Sequence, residues 1–351
     1  MEEMQQLCSS VYVVKQSKWR SILSAVQSFA RGIPASVGYF SHDQWQSKVS
    51  RIIATERPDW IYVQLVRMVP YILKLDKDQR MAIDYMDAFS LRALRRADQS
   101  RGVEAWFWKN EARLLQQFET AHQHRFRHRF IISETDMHHL ANVGVEHLQL
   151  LKNGVDTQYF EPQRDSNVSY DLVFVGNMSY HPNIQAAKYL VQEIARSVRS
   201  VLPELRVLIA GADPTREVLA LKNDWVEVTG YMEDIRNAYA SGKVFVAPIF
   251  SGSGLQNKIL EAMAMEIPCI TTSIVADSIG APYWFVQRAN DKEAFCDQIG
   301  ALLSDEISRA KLGRQARVFV SEQFGWNQCC TPLDALSSQE STTVRKGMEH
   351  K

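Results

Sequence analysis

Neither sign of charge prevails in this chain: 40 Lys and Arg offset 40 Asp and Glu, and the formal net charge is zero. Bulk attraction to nucleic acid is excluded as a driving force, and no nucleic-acid partner is expected. No apolar run approaches the roughly 18 residues of a membrane-crossing helix. The opening Met1-Glu-Glu-Met-Gln-Gln6 lacks the basic and then apolar regions of a secretory signal. Cysteine is sparse. Cys8, Cys269, Cys296, Cys329 and Cys330 form no CxxC, their number is odd, and Cys329 adjoins Cys330. That usage points to buried or incidental thiols in a reducing compartment, so a cytoplasmic location is expected. No internal repeat or long low-complexity tract interrupts the chain. No HExxH or cysteine pair accompanies the histidines, so no metal is expected.

The chain has 351 residues, 46% hydrophobic and 23% charged, the length of about two domains with sizeable cores. From Tyr170 onward the pattern is regular. Strands are expected at Asp171–Val175, Leu205–Ala210, Trp225–Thr229, Lys243–Ala247 and Pro268–Thr272. Helices at Asn183–Ser200, Thr215–Lys222 and Glu233–Ala240 alternate with them. Such alternation predicts an α/β fold, a parallel sheet with helices on both faces. Ligands of such sheets sit at the carboxyl ends of the strands. Gly176, Gly211, Gly230, Gly252 and Gly254 fall at those ends. Each alone reads as a strand-to-helix turn; together on one edge they favour a shared crevice. The first half is of similar type but less regular. Its candidate strands are Val11–Val14, Trp60–Val63, Met81–Tyr85 and Phe130–Ser133, with a long helix from Glu104 to about Arg125. The polar stretch from Lys152 to Ser169 reads as an interdomain linker, and the tail after Ser337 as disordered.

The most informative stretch runs from Pro248 to Met265. It follows the apolar run Val244–Ala247, passes through a glycine-bearing loop and enters a helix near Leu255. Strand, glycine loop and helix N-terminus aim unpaired N–H groups and the helix dipole at one spot, which makes an anion site. Lys258 and Glu261 are three residues apart and share a helix face. A cation for phosphate and a carboxylate for a sugar diol suit a nucleotide sugar. An ordinary solvated ion pair is the bland alternative, and the glycine loop before the pair favours function.

Asn153-Gly-Val-Asp156, Tyr159-Phe-x-Pro162, Phe174-Val-Gly176, Ile209-Ala-Gly211, Val228-Thr-Gly230, Val246-Ala-Pro248 and Gly254-Leu-Gln-Asn-Lys-Ile-Leu-Glu-Ala-Met-Ala264 follow one another in that order. In these motifs the chain resembles the retaining glycosyltransferases of family 4, the group 1 glycosyl transferases. The last motif and Gly176-Asn-Met-x-x-x-Pro-Asn183 look like sugar transferases of bacterial exopolysaccharide assembly. The first half is similar in Val66-Arg-Met-Val-Pro-Tyr71, Asp84-Tyr-Met-Asp87 and Phe130-Ile-Ile-Ser-Glu134, less specifically.

The resemblance implies a GT-B architecture, two Rossmann-like, doubly wound domains facing across a cleft. Residues 1–151 would form the acceptor-side domain, 152–169 the linker and 170–323 the donor domain. Residues 324–337 would cross back to the first domain, and 338–351 would be a disordered tail. The donor would be a nucleotide-diphosphate sugar and the acceptor a saccharide or lipid-linked saccharide. Retention would need no metal or other cofactor and usually no protein nucleophile. The acceptor hydroxyl would attack from the leaving-group side while the departing diphosphate takes its proton. The protein would position the reactants and stabilise the leaving charge.

Residue by residue, Glu261 matches the second glutamate of the family's paired-glutamate motif and would hold the ribose hydroxyls. Lys258 would neutralise the diphosphate and act in catalysis. The N–H groups of Gly254 and Leu255 would bond diphosphate or sugar oxygens. Gly230 and Tyr231 stand where the base is held. The family's first glutamate is replaced by Ser253, so Gln256 or Asn257 would take over its contact. A basic pair after the first donor-domain strand is also absent. Gly176 is followed there by Asn177 and Met178, then His181, and Gly176 and Asn177 join the donor-binding set. Asp87 is the candidate acceptor-side catalytic residue. Relatives begin with a further strand, glycine-rich loop and helix, so the first domain is expected to be incomplete. Two rival readings follow: a non-catalytic nucleotide-binding remnant or partner-dependent subunit, and a nucleotide-sugar epimerase. Ser253 in place of a carboxylate disfavours the second.

Other features have plainer readings. Asp84 or Asp87 could cap the helix entered at Ala88. Asp76-Lys-Asp78 has the spacing of a metal-diphosphate motif, but charged turns of this kind are common. His124 and His128, four apart, could share a helix face, and a solvated basic helix end explains them better than zinc. Residues 122–129 (HQHRFRHR) could rest on anionic lipid headgroups, a peripheral contact at the inner membrane face. Trp106-Phe-Trp108 reads as packing rather than a sugar platform. Replacing Glu261 with alanine is expected to weaken nucleotide binding with little loss of stability.

Overall fold

The computed structural model describes residues 2–76, 78–163, 168–250 and 256–337. The chain divides into two compact units, Met1–Leu150 and Leu151–Lys351, each with its own parallel sheet. In the first unit β1 (Ile61–Gln64), β2 (Met81–Asp84), β3 (His128–Ile131) and β4 (Leu148–Leu150) lie side by side in sequence order. Parallel neighbours need crossover connections. The helices Phe89–Gln99 and Gly102–Ala121 carry β2 to β3, and Glu134–Asn142 carries β3 to β4. Met81 and Ile83 of β2 bury against Val69, Ile131 and Leu140.

Two expectations for this unit change. Val11–Val14 is no strand; its Tyr12, Val13 and Val14 are exposed, because β-branched residues make a strand only where a sheet offers pairing and a face to pack on. The strand expected at Phe130–Ser133 starts earlier, at His128. Ser133 instead caps the helix Glu134–Asn142, its Oγ accepting from Asp136 N at 3.1 Å.

The second unit holds β5 (Tyr170–Val175), β6 (Val207–Ala210), β7 (Val226–Val228), β8 (Gly242–Ala247), β9 (Cys269–Thr271) and β10 (Gln287–Arg288). The spatial order is β10-β9-β8-β5-β6-β7, all parallel. Val173, Phe174, Val207, Ile209, Val244, Phe245 and Ile270 are fully buried, as strands covered on both faces must be. Strand order reverses between β5 and β8. The expected α/β fold with parallel sheets is therefore present, and β5 and β8 mark the switch point. The helix expected over Asn183–Ser200 starts at His181, with Pro182 in its first turn, and runs to Arg199 through a π-helical stretch, Leu190–Ala195. The helix after β8 is Asn257–Ala264.

A helix absent from the sequence reading, Glu306–Phe324, fastens part of the expected linker. Its Arg317 donates to the carbonyls of Thr157 (3.1 Å) and Phe160 (3.0 Å) and to that of Ala264. Val155 N donates to Phe324 O at 2.8 Å. Residues 164–167 of that linker and the tail 338–351 lie outside the described residues.

Candidate functional site

The switch point brings two chain segments to one place: the turn after β5 and the helix after β8. Gly176 follows β5, and its N donates to Ala210 O at 3.0 Å. Beside it Gly211 has φ +135°, and a Cβ there would lie 1.8 Å from Gly176 O, so only glycine fits. Gly211 N in turn donates to Gly230 O at 3.0 Å, which joins the ends of β5, β6 and β7 into one edge. Asn177 uses its side chain to close the turn, Oδ1 accepting from Ser179 N (2.8 Å) and Ser179 Oγ (2.6 Å).

Lys258 reaches this turn from the first turn of the helix Asn257–Ala264. Its Nζ donates to Asn183 Oδ1 at 2.5 Å, and Asn183 Nδ2 donates to Asn177 O at 2.8 Å. A Cβ on Gly176 would sit 3.3 Å from Nζ, so glycine leaves the ammonium room beside the backbone. The ammonium also lies 5.5 Å from the Phe174 ring centroid. Burial pulls the Lys258 pKa down to about 8, and Glu261 opposes that shift. It is therefore still mainly a cation at neutral pH. Glu261, one turn on, has Oε2 bonded at 2.6 Å to the hydroxyl of the fully buried Tyr239. Burial raises the Glu261 pKa, against the Tyr239 hydrogen bond and Lys258.

Of the donor-binding set, Gly176, Asn177 and Lys258 come together, Glu261 shares the helix, and Gly230 joins the edge through Gly211. Asn257 and Tyr231 are exposed and Gln256 immediately precedes the helix. Gly254, Leu255 and Ser253 lie outside the described residues. Asn183 and Tyr239 were not named as site residues from the sequence. The Pro182-Asn183 pair carried a signal for the first; nothing in the short helix Arg236–Ala240 marked the second.

Asp87 belongs to the first unit. Its N donates to Tyr85 O at 2.8 Å. Burial raises its pKa, as does Asp136, while Arg92 and Arg95 oppose. Asp84 is committed to the fold, accepting from Met86 N (2.8 Å) and the Tyr62 hydroxyl (2.9 Å). Neither caps the helix starting at Phe89, whose Ser90 N reaches Glu119 Oε1 at 3.2 Å.

Residues 169–305 match the family described as glycosyl transferases, group 1. That match lies within the second unit. The chain is similar to the sulfoquinovosyl transferase SQD2 of Arabidopsis thaliana, 27% identical over 53% of this chain and 39% of that protein. It is also similar to CapM of Staphylococcus aureus, a capsular polysaccharide biosynthesis glycosyltransferase, 26% identical over 52% of this chain and 48% of that protein. These matches take in about half the relatives' length or less. Among solved structures, Anabaena HepE in complex with UDP and glucose superposes with a TM-score of 0.63 at 13% identity, covering 83% of this chain and 81% of that one. The expected fold class thus stands: α/β units with parallel sheets, matching GT-B glycosyltransferase structures.

The histidine-rich segment 122–129 is partly exposed: His124 and Arg127 face solvent. Phe126 is buried, Arg129 donates to Gln123 O and Glu146 O, and Arg125 donates to the carbonyls of Ile72, Leu73 and Leu75. Two of its three arginines, Arg125 and Arg129, are thus claimed by backbone carbonyls at strand and helix ends. His124 and His128 share no helix: one lies in a short 3-10 turn and the other begins β3. Among the described residues no group of His, Cys, Asp and Glu could hold a metal, and no helix is long and apolar enough to cross a membrane.

Proposed function

We propose that the chain is a glycosyltransferase that binds a nucleoside-diphosphate sugar at the β5–β8 switch point. The observation that carries the reading is the Lys258 ammonium, held by Asn183 beside the Gly176 turn, with Glu261 on the same helix. A diphosphate meets a cation in a setting of low dielectric there, where its attraction is much stronger than in water. The carboxylate of Glu261, already anchored through one oxygen by Tyr239, offers its other oxygen to a ribose hydroxyl. HepE, of the same fold, was solved with UDP and glucose, which supports a nucleotide sugar as the donor. The similarity to CapM supports a saccharide acceptor of polysaccharide assembly, and transfer with retention follows the family resemblance. Lys258 then stabilises the charge of the departing diphosphate.

The test is a titration of UDP, GDP, ADP and CMP against the parent and Lys258→Gln. One nucleotide stabilising the parent and not the variant supports the reading. At about 100 times its dissociation constant that ligand adds about 2.7 kcal/mol. Equal effects on both remove Lys258 from the site. We also propose that no metal takes part, so EDTA leaves transfer intact; loss with EDTA and recovery with a divalent ion would overturn that.

A further inference from the structure

In the first unit the helix Lys18–Ala30 is packed with the opposite polarity to the usual one. Its inward side is small and polar: Ser21 is buried, Ser24 Oγ donates to Ser41 O at 3.1 Å, and Ser28 lies against Gly38 so closely that a Cβ there would stand 2.3 Å from it. Its outward side is apolar. Trp19 (82% exposed), Ile22 (47%), Leu23 (58%) and Val26 (63%) face solvent. Their spacing of three, four and seven residues makes one continuous stripe. Phe29 carries the stripe on to a second helix, its ring 6.3 Å from Trp106, which is 60% exposed. The charge along the helix's own segment has one sign. From Met4 to His42 the chain has no Asp or Glu, and Lys15, Lys18, Arg20 and Arg31 are all exposed.

We propose that this face docks on an anionic lipid bilayer. An apolar stripe headed by tryptophan and flanked along its own segment only by cations is the pattern of an interfacial helix. The stripe enters the acyl boundary while the long cationic side chains reach the headgroups. A second copy of the chain fits less well. Two-fold pairing through this face would bring the same four cations of both copies together with no acid from this segment to neutralise them. The inference does not rest on the sugar-transfer reading.

The test is co-flotation of the chain with vesicles of phosphatidylcholine and phosphatidylglycerol, and with phosphatidylcholine alone. The parent is expected to float with the anionic vesicles only, and less at high salt. Leu23→Glu with Val26→Glu changes two exposed positions, so the fold is expected to hold, checked by circular dichroism and an unchanged urea-unfolding midpoint. This variant is expected to partition at least about tenfold more weakly. Lys15→Glu with Arg20→Glu should weaken it as well. No binding of the parent to anionic vesicles, or equal binding by the Leu23, Val26 variant, overturns the proposal. So does a parent dimer that the same variant dissociates, since the face would then belong to a second copy.

Discussion

The two units treat buried charge differently. In the first, Glu111 accepts from Ala35 N (2.7 Å), Ser36 N (2.9 Å) and Ser36 Oγ (2.7 Å), so it closes the start of a helix. Arg129 and Asp84 are likewise bound to backbone. In the second, among the described residues, the half-buried Lys258 and Glu261 each hydrogen-bond a neutral side chain, Asn183 and Tyr239. A buried charge bonded to backbone is part of the fold. One held by a lone neutral partner keeps most of its field, at a cost to stability, for a ligand. With its pKa near 8 against an ordinary 10.5, Lys258 costs the fold up to about 3 kcal/mol below pH about 8, relieved as pH rises toward 10.5.

That contrast can be broken by mutation. The largest effect is expected from Glu111→Ala, which strands three donors in a closed site and should cost about 3 kcal/mol in urea unfolding while nucleotide affinity holds. A neutral result would erase the distinction. Glu261→Ala comes next. It leaves the Tyr239 hydroxyl buried without an acceptor, so we expect a loss of about 1–3 kcal/mol together with weaker nucleotide binding. This corrects the expectation of little stability loss: the carboxylate is a structural acceptor as well. Glu261→Gln should restore the stability, and calorimetry would show whether the binding returns with it. The smallest effect is the most specific. Asn183→Asp sets a carboxylate beside the ammonium, and the pH at which nucleotide affinity declines should move up by about one unit; an unmoved profile would detach Asn183 from Lys258.

Legibility also differed between the units. In the second, strand-end glycines and buried apolar runs are local signals, and both Lys258 and Glu261 could be named from them. The partners could not. Asn183 is 75 positions from Lys258 and Tyr239 is 22 from Glu261, and only the order of β5 and β8 brings the first pair together. In the first unit Val11–Val14 had strand composition without a sheet to join. The cations of residues 122–129 looked like surface charge, yet distant carbonyls such as Ile72 O claim Arg125. The helix Lys18–Ala30 hid its orientation, because which face turns inward was decided by Gly38 and not by its own apolar stripe.

The most direct test of the account is the pH dependence of nucleoside-diphosphate affinity, measured by calorimetry for the parent and Lys258→Gln. If the Lys258 ammonium carries the diphosphate, parent affinity falls about tenfold between about pH 7 and pH 9 as the amine loses its proton, and the variant binds weakly with a flat profile. A flat parent profile, or the same decline in both proteins, would contradict it.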